Sequence, residues 1–408
     1  MKKELIGYEE AREALLERVS PVGTERVSLM ESAGRVLART LTAAEDVPSF
    51  DRSSYDGYAL RSADVANASR EAPAALRVIE EIPAGTAPSR ALMPGTAAKI
   101  LTGAPVPEGA DAVINFEATE FTAEEVKLFA PLKTGANIVR AGEDVKRGAV
   151  LLAPGAVIDA GAAGVLAAQG VARPEVYRVP RVAVLSTGSE LVEADAGEGE
   201  IPPGKIRNSN AYTLCAALRR CGLEPVYLGI AGDDAGDIAG LIEQGLRGCD
   251  AVVSTGGVSV GDYDLTPEAM ERAGAEILFR GVAMKPGMAC AYGVAGGKPV
   301  CALSGNPASS LTNFYCIALP ALRKLAGHAE PLPSGLMVTL RDGFAKPSRG
   351  TRLLRGTLDL SRGEAEMLLP GDQGNVVISS AVGADVMAVV PAGSGPLEAG
   401  TRLKGFLI

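Results

Sequence analysis

The residues best able to do chemistry in this chain lie in short runs of glycine, hydroxyl and acid. Thr255 to Asp264 (TGGVSVGDYD) carries the adjacent glycines Gly256 and Gly257, the hydroxyls of Thr255 and Ser259, and the carboxylates of Asp262 and Asp264. Ser186-Thr187-Gly188-Ser189-Glu190, Gly232-Asp233-Asp234 and Ser304-Gly305-Asn306-Pro307 repeat that composition. Glycine lets a ligand approach the backbone, and hydroxyls with free N–H groups at a helix start hold phosphate oxygens. Acids beside such loops point to a divalent cation, so the expected ligand is phosphorylated and held partly through metal. Plainer uses exist for single runs: SGNP can open a helix with proline at its first position, and Asp233 and Asp234 can cap one.

Three more runs sit nearer the start of the chain. Phe50 to Arg61 (FDRSSYDGYALR) places Asp51 and Asp56 in a small and aromatic stretch, and Thr102 to Asp111 (TGAPVPEGAD) is a rigid loop with a hydroxyl at its mouth. Arg140 to Gly148 sets Glu143 and Asp144 on a turn, which can also be a solvated acidic turn. The single histidine, His328, excludes multi-histidine metal centres and distributed histidine acid–base chemistry. Six cysteines form no Cys-x-x-Cys pair and mostly sit in apolar runs, which reads as buried free thiols. Catalysis must therefore run on carboxylates, hydroxyls, lysines and backbone dipoles.

The loops of the second half each follow an apolar strand. RVAVLS, PVYLGI, AVVSTGG, EILF and KPVCALSGNP alternate with helical stretches, among them SNAYTLCAALRRCG with Ser209 or Asn210 as its N-cap. Apolar strands alternating with helices imply a parallel, right-handed βαβ sheet, whose ligands bind outside the carboxyl ends of the strands. A helix is expected over Tyr8 to Val19, a β-rich lobe with many turns over residues 47–144, and a small β-barrel-like domain after residue 328. The expected organisation is an N-terminal region 1–178, with the lobe inserted between helical parts 1–46 and 145–178, then an α/β domain 179–328 and a β domain 329–408. The fold class is multidomain α/β plus β.

With 408 residues, 47% of them apolar, the chain is globular, and a net charge of −9 without a basic aromatic surface argues against nucleic acid. The first residues carry no apolar signal core, and no window reaches the ~18 uninterrupted apolar residues of a membrane span. A reduced, cytoplasmic enzyme or binding protein is expected.

Taken together, FDRSSYDGYALR, TGAPVPEGADAV, GANIVRAGEDV, VAVLSTGSELV, GKIRNSNAYTL, GIAGDD, STGGVSVGDYD, VAMKPG and SGNP resemble the molybdopterin molybdenumtransferase family, in its order and at similar spacing, from about residue 5 to the end. The resemblance implies an elongated homodimer whose cleft lies between the α/β molybdopterin-binding domain of one subunit and the N-terminal lobe of the other. It implies a molybdopterin molybdotransferase: adenylylated molybdopterin plus molybdate gives molybdenum cofactor and AMP, with Mg²⁺. The catalytic positions carried over are Asp56, Thr102, Asp144, Glu190, Asp233, Asp264 and Lys285, with Asp56, Asp144, Asp233 and Asp264 as metal ligands. The loops expected to bind the pterin ligand are Ser186, Thr187 and Gly188; Thr255, Gly256, Gly257 and Ser259; and Ser304, Gly305, Asn306 and Pro307. The upstream adenylyltransferase and downstream molybdoenzymes are implied as partners.

The chain departs from the family pattern around the oxyanion. KPGKP is KPGMA here, with Met288 and Ala289; LPGNP is LSGNP with Ser304; a further lysine is Gly281; and a Gln-Gly-Ser run ends in Asn375. Two positive charges are thereby lost, and whether Arg349, Arg352 or Lys346 replaces them is open at the level of sequence. The alternatives are a specialised relative that handles tungstate or hydrolyses adenylylated molybdopterin, and a non-catalytic cofactor-binding scaffold.

Overall fold

In a computed structural model, which describes residues 5–197, 199, 201–258 and 265–408, the chain folds as two compact units. The larger comprises Met1–Arg39, Pro154–Ala160 and Arg173–Ile408. Its centre is a six-stranded sheet built from β1 (Arg181–Thr187), β2 (Glu224–Ala231), β3 (Ala251–Thr255), β4 (Glu276–Arg280), β6 (Ala291–Ala295) and β7 (Lys298–Leu303), in the order β2-β1-β3-β7-β6-β4. A two-residue strand, β5 (Met284–Lys285), leaves this sheet. β1 is a run of β-branched and aliphatic residues buried from Val182 onward, as a strand covered on both faces must be. Full burial of Leu185 alone stabilises by roughly 1.5–3 kcal/mol.

The helices that follow β1 in the chain are α1 (Asn210–Arg220), α2 (Ala235–Gly248), α3 (Leu265–Arg272), α4 (Pro307–Asn313) and α5 (Leu319–Leu325), among the described residues. α1 buries Ala211, Leu214, Cys215 and Leu218, a single apolar stripe at helical spacing. The contiguous helical stretch from α4 to α5 contains a π segment, Phe314–Ala318. Pro320 explains it: without an N–H it cannot serve the carbonyl of Cys316, and the wider turn absorbs the mismatch. Five strands of the sheet run parallel and β6 runs against them, paired with both β4 and β7. Sequence reading missed β6, although Gly296-Gly297, both at positive φ, form the two-residue hairpin turn that links it to β7.

The last strands, β8 (Gly335–Leu340), β9 (Thr351–Asp359), β10 (Glu366–Leu368), β11 (Val386–Val390) and β12 (Arg402–Leu407), close into a small barrel because β9 pairs with β11 as well as β10. Closure removes free edges, and β5 is added to β9 in parallel. Near the start, the helix Tyr8–Leu16 buries Ala11, Leu15 and Leu16.

The second unit, Thr40–Ala153 with Gly161–Ala172, holds a six-stranded sheet in the order Ala112–Asn115, Gly57–Leu60, Thr96–Ile100, Ala74–Ile82, Glu125–Leu128, Thr119–Phe121. Alternation along its strands sends Tyr58 and Leu60 into one apolar cluster and Ala59 into another. No helix among the described residues is long and apolar enough to cross a membrane.

Candidate functional site: a glycine-loop cavity and its cationic neighbour

The loops that follow β1, β3 and β7 wall a cavity of about 660 Å³, within the range that holds a cofactor-sized ligand. Thr187, Gly188 and Glu190 enter it from the first loop, Thr255, Gly256 and Gly257 from the second, and Ser304, Gly305, Asn306 and Pro307 from the third. Gly256 holds φ +94°, and a Cβ there would fall 2.2 Å from the carbonyl oxygen of Thr187, so the approach of these two loops requires glycine. Ser186 is fully buried beneath the cavity instead of lining it: its hydroxyl donates to Asn208 Oδ1 at 3.1 Å and lies 3.1 Å from Thr255 Oγ1.

The adjacent acids after β2 divide their work. Asp234 caps α2, accepting from the amides of Gly236 and Asp237 at 2.8 and 3.0 Å. Asp233 instead lines the cavity and accepts from the amide and hydroxyl of Ser189. Glu190 and Asp233 are thus the two carboxylates of the described wall.

Asn208 is a cavity residue that sequence reasoning did not single out. Almost fully buried, it lines the cavity, accepts from Ala211 N at 3.3 Å to cap α1, and donates from Nδ2 to the Tyr227 hydroxyl at 2.9 Å. Ser209 occupies the N-cap position without a side-chain bond. Tyr227 donates in turn to Glu193 at 2.7 Å, and burial together with that carboxylate pushes the phenol well above its ordinary pKa. Asn210 also lines the cavity; its Nδ2 donates to Gly305 O at 2.8 Å while its buried Oδ1 has no partner among the described residues. The run RNSN holds both residues, but only in the fold does one asparagine become a scaffold and the other a cavity residue with an unpaired acceptor among the described residues.

Lys285 does not line this cavity. It lies in a neighbouring one of about 480 Å³, with Arg349, Arg352 and Met288 and without a carboxylate among the lining residues. Met288 faces this second cavity and Ala289 the first, so the KPGMA turn stands between them. Asn313 supports the turn, donating to Gly287 O at 2.9 Å. Arg352 is held by Ser348 Oγ at 2.9 Å and stacks 5.3 Å from the Phe344 ring centre, and burial lowers its pKa. Two arginines thus bring positive charge to the lysine, while Lys346 is not among the lining residues. At Gly281 the backbone has φ +76°, which strains any other residue, and a Cβ would fall 2.7 Å from Leu5 Cδ2, so a lysine here would also require the Leu5 side chain to shift.

Sequence reasoning also missed Arg355, the largest fully buried side chain. It donates to Ser380 Oγ at 2.7 and 3.1 Å and to Gly374 O at 3.3 Å, and its Nη1 has no partner among the described residues. Gln373 brackets the Arg355 backbone on both sides, and Asn375 O accepts from Ala308 N at 3.0 Å. The Gln373–Asn375 run is thereby tied to α4, next to Val376 on the large cavity wall.

In the second unit, Asp56 accepts at Oδ1 from the amide and hydroxyl of Thr102, at 2.7 and 2.8 Å. These bonds, the amide's first, hold the carboxyl below its ordinary pKa. Asp144 lies on an exposed turn whose amide donates to Val47 O at 3.0 Å. Ser259 and Asp264 lie outside the described residues. Among the described residues, no three acid, histidine or cysteine side chains converge on one point. The candidate metal ligands are instead distributed, Asp56 and Asp144 in one unit and Asp233 in the other.

An open α/β sheet with glycine loops and carboxylates at its carboxyl edge, beside a cavity whose charged lining residues are all cations, defines a class: α/β proteins with a ligand-binding crevice at the carboxyl ends of the strands. Comparison with known proteins narrows it. Residues 6–170 match the family described as MoeA N-terminal region (domain I and II), 183–324 the one described as "Probable molybdopterin binding domain", and 337–404 the MoeA C-terminal region (domain IV). Molybdopterin molybdenumtransferase of Bacillus subtilis is 36% identical over 94% of this chain and 90% of its own length. That of Staphylococcus epidermidis is 35% identical over 100% of this chain and 96% of its own. A crystal structure of the molybdopterin biosynthesis moeA protein from Pyrococcus horikoshii OT3 superposes with a TM-score of 0.87 at 30% identity, covering 99% of this chain and 100% of that one. The chain belongs to the molybdopterin molybdenumtransferase family, whose members are transferases of molybdenum cofactor biosynthesis.

Proposed function

We propose that the protein inserts molybdenum from molybdate into adenylylated molybdopterin with release of AMP. The observation that carries this reading is the pairing of cavities across one turn: glycine loops with two carboxylates on one side, three cations without a carboxylate on the other. The phosphoanhydride of the substrate lies against the loops after β1, β3 and β7, and Asn210 Oδ1 accepts from a ligand N–H. Lys285, Arg349 and Arg352 hold the molybdate dianion, which answers the loss of charge at Met288 and Gly281. Water attacks the adenylyl phosphorus, the anhydride P–O bond breaks, and AMP leaves with the water's oxygen while molybdopterin keeps its own phosphate; the two dithiolene thiols then bond the metal, and their two protons leave with one molybdate oxygen as water, with no change of oxidation state. Glu190 and Asp233 are the carboxylates in that cavity able to orient the attacking oxygen.

Carboxylate oxygens suit Mg²⁺, which when bound neutralises the anhydride's charge. Its ligands in this reading are Asp233 and Asp264, with Asp56 and Asp144 contributed by a second copy in a homodimer. The organisation into regions 1–178, 179–328 and 329–408 follows the same reading. So does a cytoplasmic location, supported by six free cysteines, with the adenylyltransferase upstream and molybdoenzymes downstream. Neither the specialised relative nor the scaffold is favoured, because both the acids and the compensating cations are present.

The test is reconstitution with adenylylated molybdopterin, Mg²⁺ and molybdate, following AMP and cofactor. Asp233→Asn should abolish both products while ligand binding survives. Wild-type rates in that variant, or equal failure with molybdate and tungstate, would overturn the reading.

A further inference from the structure

Asn313, the last residue of α4, is fully buried. Its Nδ2 donates to Gly287 O at 2.9 Å, which fixes the orientation of the amide, and its Oδ1 has no partner among the described residues. A buried acceptor left unpaired carries a desolvation cost that a leucine of similar size would avoid. Packing alone therefore does not account for an amide at this place, whereas the bond to Gly287 does.

Gly287 belongs to the KPGMA turn. Gly281 N bonds Cys290 O at 2.8 Å and Val282 N bonds Met288 O at 3.0 Å, which closes the base of the turn, and β5 is tied to β9. Beyond β5, Pro286 has no N–H to offer. Gly287, at φ +105°, approaches Asn313 so closely that a Cβ would lie 3.2 Å from both polar atoms of the amide. Its carbonyl is where α4 takes hold of the far end of the turn. At its other end α4 begins with Pro307, in the wall of the large cavity, and its seven residues span about 10 Å. One short helix thus meets the glycine-loop cavity with its first residue and the turn that carries Lys285 and Met288 with its last.

We propose that Asn313 is a positioning residue for the reaction: through Gly287 it sets where the turn, and with it Lys285, stands relative to the glycine loops. It acts on oxyanion binding without touching the oxyanion. This rests on the reading of the Lys285 cavity as the molybdate site. Misplacement of a binding group by about 1 Å is enough to cost on the order of a hundredfold, so a single bond at the tip of the turn has leverage.

The test is calorimetric titration of the full chain with molybdate and, separately, with adenylylated molybdopterin. Asn313→Leu, which keeps the volume but not the donor, should weaken molybdate binding at least fivefold and leave the affinity for adenylylated molybdopterin within twofold. Equal weakening of both ligands, or a lower melting temperature with both affinities intact, would show a packing role and overturn the proposal. Lys285→Met in the same titration separates two failures. Molybdate binding weakened in Lys285→Met but not in Asn313→Leu overturns this proposal alone, and binding unchanged in both overturns the molybdate reading of the cavity with it. Should Asn313→Leu not fold, Asn313→Ser, too short to reach Gly287, decides by the same comparison: selective loss of molybdate supports the role, and wild-type affinity refutes it.

Discussion

Lys285 and Arg352 are register partners in the short parallel pairing of β5 with β9, and both line the same cavity. A lysine between β4 and β6 of the sheet in sequence is thus fixed beside an arginine of the barrel. If the two act together on an oxyanion, Lys285→Met and Arg352→Met should each raise the KM for molybdate on the order of tenfold, equivalent to ~1.4 kcal/mol. Binding of adenylylated molybdopterin should change little. Cofactor formation measured against molybdate concentration checks this, and a purely structural role would lower the melting temperature without moving that KM.

Gly256→Ala must place a Cβ 2.2 Å from Thr187 O at a positive φ, whereas Gly305→Ala meets only Gly256 Cα at 3.5 Å. The first substitution should cost ~1–3 kcal/mol of strain and eliminate ligand binding; the second should remain folded and keep it. Melting curves with and without ligand separate the two.

Tyr227→Phe removes the hydroxyl between Asn208 and Glu193. Of the two bonds lost, the one from Asn208 holds a residue of the cavity wall, and losing it costs ~1 kcal/mol, so a roughly fivefold rise in KM for adenylylated molybdopterin is expected, with kcat nearly unchanged. A fall in kcat at constant KM would show that the chain of hydrogen bonds serves something other than cavity shape.

Asp56 is held below its ordinary pKa by Thr102. Its contribution to stability is therefore present above the unfolded-state value and is lost as pH falls through the depressed folded value. Thr102→Val removes the hydroxyl and should move the acidic limb of the activity profile to higher pH, toward the usual aspartate range. An unmoved limb in Thr102→Val would exclude Asp56 as its source.

Much of the site was legible because its chemistry is local. Glycine beside hydroxyls after an apolar strand is visible without coordinates, and the three loops of the large cavity were read that way. By residue type alone Asp233 and Asp234 are not separable, because which of the two caps α2 depends on backbone direction at the end of β2; only the family resemblance picked out Asp233. β6 was missed because AYGVA is short and holds a glycine, although Gly296-Gly297 signalled the hairpin. Arg355 and Asn313 were hidden for a different reason: a polar residue in an apolar run shows its purpose only once distant carbonyls, those of Gly374 and Gly287, arrive beside it.

The closed barrel has a consequence for how this chain can be altered. Since β9 pairs with β5 as well as with its own neighbours, the cavity of Lys285, Arg349 and Arg352 belongs to neither the sheet nor the barrel but to the seam between them. Exchanging the barrel for that of a relative would import a new set of arginines against an unchanged Lys285. Oxyanion preference should therefore travel with the last domain, while recognition of the pterin stays behind with the loops.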